Sequence, residues 1–454
     1  MSFKIYEIIP YIDFNTIIFI NNFLPKLFMT IRGEIPLCKA GITSLERKLI
    51  NEVLETGWLS NGPMLKRFEE AISSFVGTKY AIGVNSGTSA LHLSLKSLGI
   101  KEGDEVIAPA FSFIASTNPL LIEGIIPVFV DVNPETYLMD AHLISREITE
   151  RTRAILPVDL LGHAVDIDSI RDVADRHQLS IVEDSCEALG SEYKGKKVGN
   201  KSDLACFGFF PNKQITTGEG GVIVTSNEDL AEKCRMMRAH GRASNELFQK
   251  YAFFGYNYKM PELSAALGVA QMMRIQEILA QKEGVARIYS EQLSGIEEIT
   301  LPRDSKHSRK SWFTMLVYFK GIPGVKIMDF LKTKGIQSRD YFCPIHLQPE
   351  YVRRFGHKKG DFPVAEDLAK HHLGLPFYQD MNEEEIGYVT SSLKEAIHKN
   401  ILEKSGQLYA KEKINFSCKE FLKRFANEQR SKLMDMGIID FKLIFCLLDL
   451  FRSS

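Results

Sequence analysis

The first candidate for a catalytic residue is a lysine that precedes a glycine-rich turn. Lys213 follows the apolar run 204–210 and precedes the turn formed by residues 218–221, Gly-Glu-Gly-Gly. A lysine placed between a strand and such a turn can lose its water shell, which favours the neutral amine that forms Schiff bases. Taken alone, however, Lys213 is more simply explained as a solvated lysine in a connecting hairpin.

A carboxylate and a loop of small residues are the next candidates. Asp184 ends the predicted strand that begins at Ser180, and a carboxylate at a strand end can keep a pyridine nitrogen protonated. Asp184 could equally cap a following helix, with Glu187 completing a capping box. Residues 85–89, Asn-Ser-Gly-Thr-Ser, precede a helical segment and could bind a phosphate, or could simply cap that helix.

The three segments together are more specific than any one of them. In chain order they provide a phosphate loop, a strand-end aspartate and a lysine before a glycine-rich turn. Pyridoxal phosphate (PLP) carries a phosphate, a ring nitrogen and an aldehyde, so each of its groups finds a partner. The combination predicts PLP as the cofactor.

All three segments lie at the ends of predicted strands. Strands are predicted at 80–84, 105–108, 126–130, 153–157, 180–184, 204–210 and 221–225, and helices at 43–55, 68–75, 90–98, 112–123 and 167–177. This alternation predicts an α/β domain with a largely parallel sheet flanked by helices, which binds ligands beyond the carboxyl ends of its strands. One long helix is predicted over 261–294, leading to a smaller α+β domain with a strand at 314–319 and helices at 326–334 and 383–398.

The predicted organisation has four parts. Residues 1–28 form an N-terminal extension, 29–275 the large cofactor-binding domain, 276–399 the small C-terminal domain, and 400–454 an appended helical tail. The apolar stretches at both ends are interrupted by charged residues, so no membrane span is predicted. Neither end is assigned a function.

Composition excludes several classes of function. Lys and Arg number 56 against 57 Asp and Glu, and a net charge of −1 predicts no general attraction to nucleic acid or anionic membrane. The seven cysteines contain no C-x-x-C pair, which favours a reducing cytoplasm over secretion. The histidines show no metal-ligand spacing, and no metal site is predicted.

The motifs themselves resemble those of a known family, the DegT/DnrJ/EryC1/StrS sugar aminotransferases, which are fold-type I PLP-dependent transferases. The resemblance is carried by the strings NSGTSAL at 85–91, VEDSCEALG at 182–190, PNKQITTGEGG at 211–221 and GYNYK at 255–259. The string IHLQP at 345–349 extends it into the small domain, so that it covers residues 29–398. Chance is a poor explanation for motifs of this length.

The resemblance implies a role for the residues at the matching positions. Lys213 would hold the cofactor as a Schiff base and move the proton between cofactor and substrate, and Asp184 would pair with the ring nitrogen. The loop of Gly87, Thr88 and Ser89 would bind the phosphate.

Two further positions of the resemblance involve the cofactor ring and a second subunit. Phe113 matches an aromatic residue that stacks on the cofactor. Asn257 matches a residue that reaches the phosphate of the neighbouring subunit, which implies a homodimer with an active site shared between its subunits.

Two positions depart from the commoner family pattern. Gly208 stands where many members have a serine that binds the phosphate, so a hydroxyl donor is lost. Glu187 stands where many have Gln or His near the phenolic oxygen of the cofactor. Because a carboxylate would repel a phenolate, we expect Glu187 to be protonated, turned away or bridged by a donor.

The resemblance implies an aminotransferase that moves an amino group, from glutamate, to a keto group of a nucleotide-linked deoxysugar. The product would enter surface polysaccharide, lipopolysaccharide or a related glycan.

Two alternatives stay open at this stage. One is a non-catalytic regulatory or binding protein on the same fold, against which the presence of both Lys213 and Asp184 argues. The other is a PLP enzyme of another reaction type, such as a decarboxylase or a lyase.

Overall fold

The computed structural model describes residues 34–242, 251–304 and 307–404. Its strands are β1 (Tyr80–Val84), β2 (Glu105–Pro109), β3 (Ile126–Val130), β4 (Thr152–Ile155), β5 (Ser180–Asp184), β6 (Glu192–Tyr193), β7 (Lys196–Lys197), β8 (Leu204–Gly208), β9 (Gly221–Thr225), β10 (Ile299–Thr300), β11 (Ser308–Arg309), β12 (Met315–Phe319) and β13 (His372–Leu375). The predicted extension 1–28 and most of the predicted tail, from residue 405 on, lie outside the described residues.

Helices separate most of these strands. They are α1 (Ser44–Thr56), α2 (Pro63–Val76), α3 (Gly87–Ser97), α4 (Asn118–Ile122), α5 (Ala141–Ile144), α6 (Ile167–His177), α7 (Glu228–Arg238), α8 (Glu262–Met273), α9 (Ile275–Leu293), α10 (Gly324–Thr333), α11 (Pro349–Phe355), α12 (Pro363–His371) and α13 (Glu383–Lys404). None of the helices within the described ranges is long and apolar enough to cross a bilayer.

A seven-stranded sheet forms the centre of the fold, in the order β1-β9-β8-β5-β4-β2-β3. The pairs that join β8, β5, β4, β2 and β3 are parallel, whereas β9 runs antiparallel to both of its neighbours. Every residue of β2, β8 and β9 is buried, as expected for strands with helices on both faces. The prediction of a mostly parallel α/β sheet is confirmed.

The direction of these strands brings the motif segments together. Strands β1, β5 and β8 point the same way, so their carboxyl ends lie at one edge of the sheet. The loop before α3, the segment after Asp184 and the turn that carries Lys213 all follow at that edge. Ligands of such sheets bind there.

A second, smaller core surrounds the antiparallel sheet β10-β12-β13. It packs α9, α10 and α13 against β12, through residues such as Tyr289, Phe319 and Ile386. The strand predicted at 314–319 and the helices predicted at 326–334 and 383–398 are therefore present, with somewhat different ends. The domain boundaries at 275 and 399 stay predictions.

Two predicted helices differ from the structure. The segment 112–123 is a 3₁₀ turn at Ile114–Ser116 followed by the short α4, because Pro119 cannot donate the N–H that a continuous helix needs. The segment 261–294 is two helices, α8 and α9, which meet at Arg274. The guanidinium of Arg274 is held there by Glu46 and Glu277.

Candidate active site

Lys213 is a largely buried lysine between a carboxylate and an aromatic ring. Its side chain is 14% exposed, and its Nζ lies 3.2 Å from Oε1 of Glu187. The same Nζ lies 4.2 Å from the centroid of the Phe313 ring, close enough for a cation–π contact. The simpler explanation of Lys213 as a solvated hairpin lysine is therefore wrong.

Glu187 is fixed by hydrogen bonds at both ends of the residue. Its Oε2 accepts the backbone N–H of Leu161 at 3.0 Å, while its own carbonyl accepts from the side chain of Gln214. Together with Lys213 on Oε1, these contacts give the carboxylate a donor on each oxygen. The state of Glu187 beside the phenolic oxygen of the cofactor stays a prediction.

Asp184 is buried, and its carboxyl group is oriented by two donors. Ser116 Oγ donates to Oδ2 at 2.6 Å, and the N–H of Cys186 donates to Oδ1 at 3.1 Å. Ser112 Oγ lies 2.9 Å from Ser116 Oγ and extends the network. No helix begins after Asp184 within this described segment, so the helix-cap explanation is wrong.

The thiol of Cys186 lies close to Asp184. Burial, and then the nearby charge of Asp184, raise the pKa of the Cys186 thiol well above its ordinary value. A raised pKa disfavours the thiolate, which is the nucleophilic form of cysteine.

The loop 85–89 begins α3. The side chain of Ser86 accepts the N–H of Ser89 at 3.1 Å, and Ser89 Oγ donates to Asn85 Oδ1 at 2.7 Å. The hydroxyl and N–H of Ser89 are thus used inside the loop, whereas the side chain of Thr88 is exposed. The N-terminus of an eleven-residue helix favours an anion at this position.

Gly87 and Gly208 form a tight contact with Cys186. A Cβ on Gly87 would lie 2.8 Å from Sγ of Cys186 and 3.3 Å from Cα of Gly208. A Cβ on Gly208 would lie 3.3 Å from the Cβ of Cys186. A serine at position 208 would therefore press on Cys186, which would have to shift by a few tenths of an ångström to admit it.

Aromatic rings connect Phe113 with Lys213. The Phe113 side chain is 53% exposed, and its ring centroid lies 5.9 Å from that of Phe342. The ring centroids of Phe342 and Tyr341 are 5.1 Å apart, and those of Tyr341 and Phe313 are 5.8 Å apart. Phe313 is the ring that contacts the amine of Lys213. An exposed ring at the edge of this series is available to stack on a planar ligand.

Asn257 lies close in the chain to a main-chain contact with the loop 85–89. Its side chain is exposed and accepts a hydrogen bond from Lys259, and Asn85 N donates to the carbonyl of Tyr258 at 2.9 Å. Within the described part of a single chain, no contact joins Asn257 to Lys213.

These residues fit the predicted cofactor. Next to Lys213, Oδ1 of Asn212 is buried and has no hydrogen-bond partner among the described residues, as expected where a polar ligand completes the site.

Sequence reasoning missed the contacts of Ser116 and Phe313. Ser116 is found three residues after Phe113 in one tight turn, whereas nothing in the local sequence points to Phe313.

A comparison with known proteins decides the family. The model of the DegT/DnrJ/EryC1/StrS aminotransferase family matches residues 41–394. The chain belongs to this family. The predicted family, the fold-type I architecture, the PLP cofactor and the aminotransferase class are thereby confirmed.

Individual relatives agree with this assignment. The chain is 38% identical to GDP-perosamine synthase of Caulobacter vibrioides, over 78% of this chain and 95% of the relative. It is 31% identical to the UDP-4-amino-4-deoxy-L-arabinose–oxoglutarate aminotransferase of Shewanella sediminis, over 80% of this chain and 98% of that protein. Among solved structures, the crystal structure of NtdA from Bacillus subtilis with bound cofactor PMP matches with a TM-score of 0.72 and 33% sequence identity. The match covers 79% of this chain and 83% of the NtdA chain.

Proposed function

We propose that this aminotransferase transfers the amino group of glutamate to a keto group of a nucleotide-linked deoxysugar for the synthesis of a surface polysaccharide or related glycan. The observation that carries the proposal is the buried pair of Lys213 and Glu187 beside the oriented carboxylate of Asp184. The reaction converts glutamate into 2-oxoglutarate and the sugar ketone into an amine, so that the nitrogen balances.

Lys213 is the acid and base of the reaction. When the cofactor is bound, Nζ of Lys213 would move a proton between the amino-bearing carbon of the substrate and the cofactor carbon attached to the same nitrogen. Glu187 fixes the position of the Lys213 amine, since its carboxylate is itself held by the N–H of Leu161. The ring of Phe313 shields the lysine from water on one side.

Asp184 and the loop before α3 would hold the cofactor. Asp184 is the partner for the ring nitrogen, and Ser116 keeps its carboxyl group in place. Gly87, Thr88 and Ser89 form the loop that faces the phosphate, and Phe113 offers the stacking surface. When bound, PLP supplies an electron-accepting ring that stabilises the carbanion of the amino-bearing carbon.

The names of two relatives support the substrate class. One relative is a synthase of a GDP-linked amino sugar, and the other is named for a UDP-linked amino sugar and for oxoglutarate. Both combine a nucleotide with an amino sugar, and the second includes the keto acid that glutamate becomes. Unpaired thiols at all five cysteines of the described ranges support a cytoplasmic location.

We also propose that the active enzyme is a homodimer with a shared site. Large apolar side chains are exposed among the described residues, at Trp58, Phe113, Phe210 and Phe254. Surfaces of this kind are commonly buried between subunits. Asn257, which lies close in the chain to a main-chain contact with the loop 85–89, would then complete the site of the partner.

Cofactor spectra and product analysis test the proposed reaction. Wild type and Lys213→Ala are mixed with PLP and glutamate, and 2-oxoglutarate is quantified with and without a nucleotide-linked keto sugar. We expect wild type to bleach the PLP absorbance, to release 2-oxoglutarate and to yield an amino sugar seen by mass spectrometry, and the variant to do none of these. Release of carbon dioxide from glutamate would indicate a decarboxylase, and a protein that ignores PLP would indicate a binding role.

Subunit mixing tests the shared site. Inactive Lys213→Ala and inactive Asn257→Asp are unfolded, mixed in equal amounts and refolded together. If each site draws on both subunits, mixed dimers have one intact site, and activity returns to about a quarter of wild type. A mixture as inactive as its components would contradict the shared site without affecting the proposed reaction.

A further inference from the structure

A second buried lysine lies behind Lys213. Lys282 is in the middle of α9, and only 4% of its surface is exposed. Its Nζ lies 3.2 Å from the backbone carbonyl oxygen of Lys213 and 5.5 Å from the centroid of the Phe377 ring. The amine of Lys282 thus contacts the main chain of Lys213, at its carbonyl group.

Lys282 has no acidic partner among the residues that the structure describes. The cavity around its amine is lined by neutral or basic side chains, including Cys38, Lys39, Asn212 and Tyr378. A buried cation without a carboxylate is unfavourable, because no opposite charge replaces its lost hydration. Burial, the largest cause, together with the charge of Lys213, lowers the pKa of Lys282 to about 8.

An apolar residue of similar length would avoid this penalty. Methionine could occupy the same path along α9 without a buried charge. The polar contact that methionine would lose is the hydrogen bond to the Lys213 carbonyl. The presence of a lysine is therefore explained by what it does to the Lys213 turn rather than by stability.

We propose that Lys282 is a positioning residue that holds the peptide of Lys213 from behind, so that Nζ of Lys213 points toward Glu187 and Phe313. This inference rests on the proposed function. The carbonyl of Lys213 is the anchor at the base of the side chain, and the Glu187 carboxylate is the contact at its tip. With both ends fixed, the amine is held close to the position in which it reacts.

Capture of PLP by cofactor-free protein tests this role. The rate of the absorbance change on mixing is measured for wild type, Lys282→Met and Lys282→Arg, and reduction with borohydride followed by mass spectrometry identifies Lys213 as the modified residue. Arg287→Met is the matched control, since it removes an exposed cation from the same helix. Thermal unfolding of each protein is recorded alongside.

We expect Lys282→Met to capture PLP about tenfold more slowly, with its unfolding temperature not lowered and its KM for glutamate within about twofold of wild type. Lys282→Arg, which keeps a charged donor for the carbonyl, should stay within about threefold of the wild-type rate. Arg287→Met should match wild type.

Capture by Lys282→Met at the wild-type rate would overturn the positioning role. So would a stably folded Lys282→Arg protein that is tenfold slow, because that variant retains the donor, and this comparison holds even if Lys282→Met does not fold. A wild-type protein that captures no PLP would instead overturn the proposed function, so the two failures are distinguishable.

Discussion

The amine of Lys213 lies 3.2 Å from a carboxylate oxygen of Glu187, and both side chains are largely buried. The other oxygen of Glu187 accepts the N–H of Leu161, so the carboxylate cannot rotate without breaking a hydrogen bond to the main chain. Without this carboxylate, the largely buried amine would lack the opposite charge that replaces its lost hydration. Glu187 should therefore stabilise the turn that carries Lys213.

Replacement of Glu187 by Gln tests this influence. The variant keeps the shape of the side chain and its carbonyl oxygen for Leu161, but it removes the charge beside Lys213. The amine of Lys213 then lacks the opposite charge that offsets its burial, so the free energy of unfolding of the cofactor-free protein should fall by about 1–3 kcal/mol. Urea unfolding of wild type and variant gives the difference.

The control for this experiment is Glu277→Gln, which removes an exposed carboxylate from α9. Its free energy of unfolding should stay within about 0.5 kcal/mol of wild type. If Glu187→Gln is as stable as wild type, the ion pair does not stabilise the turn that carries Lys213.

Loss of the Ser116 hydroxyl should weaken cofactor binding. Ser116 donates to Asp184 Oδ2 at 2.6 Å, and without it the buried carboxyl group is less well oriented. We expect Ser116→Ala to raise the Kd for PLP roughly tenfold, as measured by fluorescence titration. Ser112→Ala, which removes a contact to Ser116 but none to Asp184, should change the Kd less. Equal values for Ser112→Ala and Ser116→Ala would contradict a specific role for Ser116.

A serine at position 208 should be better tolerated if Cys186 is made smaller. Its Cβ would lie 3.3 Å from the Cβ of Cys186 and 3.4 Å from Sγ, so Gly208→Ser should lower the free energy of unfolding by about 1–3 kcal/mol. The double variant Gly208→Ser with Cys186→Ala should be more stable, by at least about 0.5 kcal/mol, than the sum of the two single effects predicts, as measured by urea unfolding. Strict additivity of the two changes would show that the contact does not limit position 208.

Much of the central sheet could be predicted because its strands are short apolar runs bounded by turns. The predicted ranges 80–84, 126–130 and 221–225 are those of β1, β3 and β9. The break at Arg274 could not be predicted, since one carboxylate that holds it belongs to Glu46, 228 positions away. Local periodicity carries no information on such a partner.

The same distinction applies to the site. Lys213 and Asp184 are recognisable because each stands in a characteristic local string at the end of a strand. Their supporting contacts join residues far apart in the chain: Leu161 is 26 positions from Glu187, and Lys282 is 69 positions from Lys213. Only the folded chain shows that Glu187 is held by donors or that Lys282 lies behind the lysine turn.

The buried charge of Lys282 should make stability depend on pH. Its pKa is about 8 in the folded protein, against an ordinary value of 10.5, so between these values the folded state binds fewer protons than the unfolded state. Below pH 8 the Lys282 amine is charged in both the folded and the unfolded state, and the cost of burying its charge is present in full. As the pH rises toward 10.5, Lys282 loses its proton in the folded state and this cost is relieved. Urea unfolding at pH 7 and pH 10 should therefore show wild type gaining up to about 3 kcal/mol relative to Lys282→Met, whereas Arg287→Met should follow wild type. A constant difference between wild type and Lys282→Met at the two pH values would show that Lys282 does not lose its proton in the folded protein in this range.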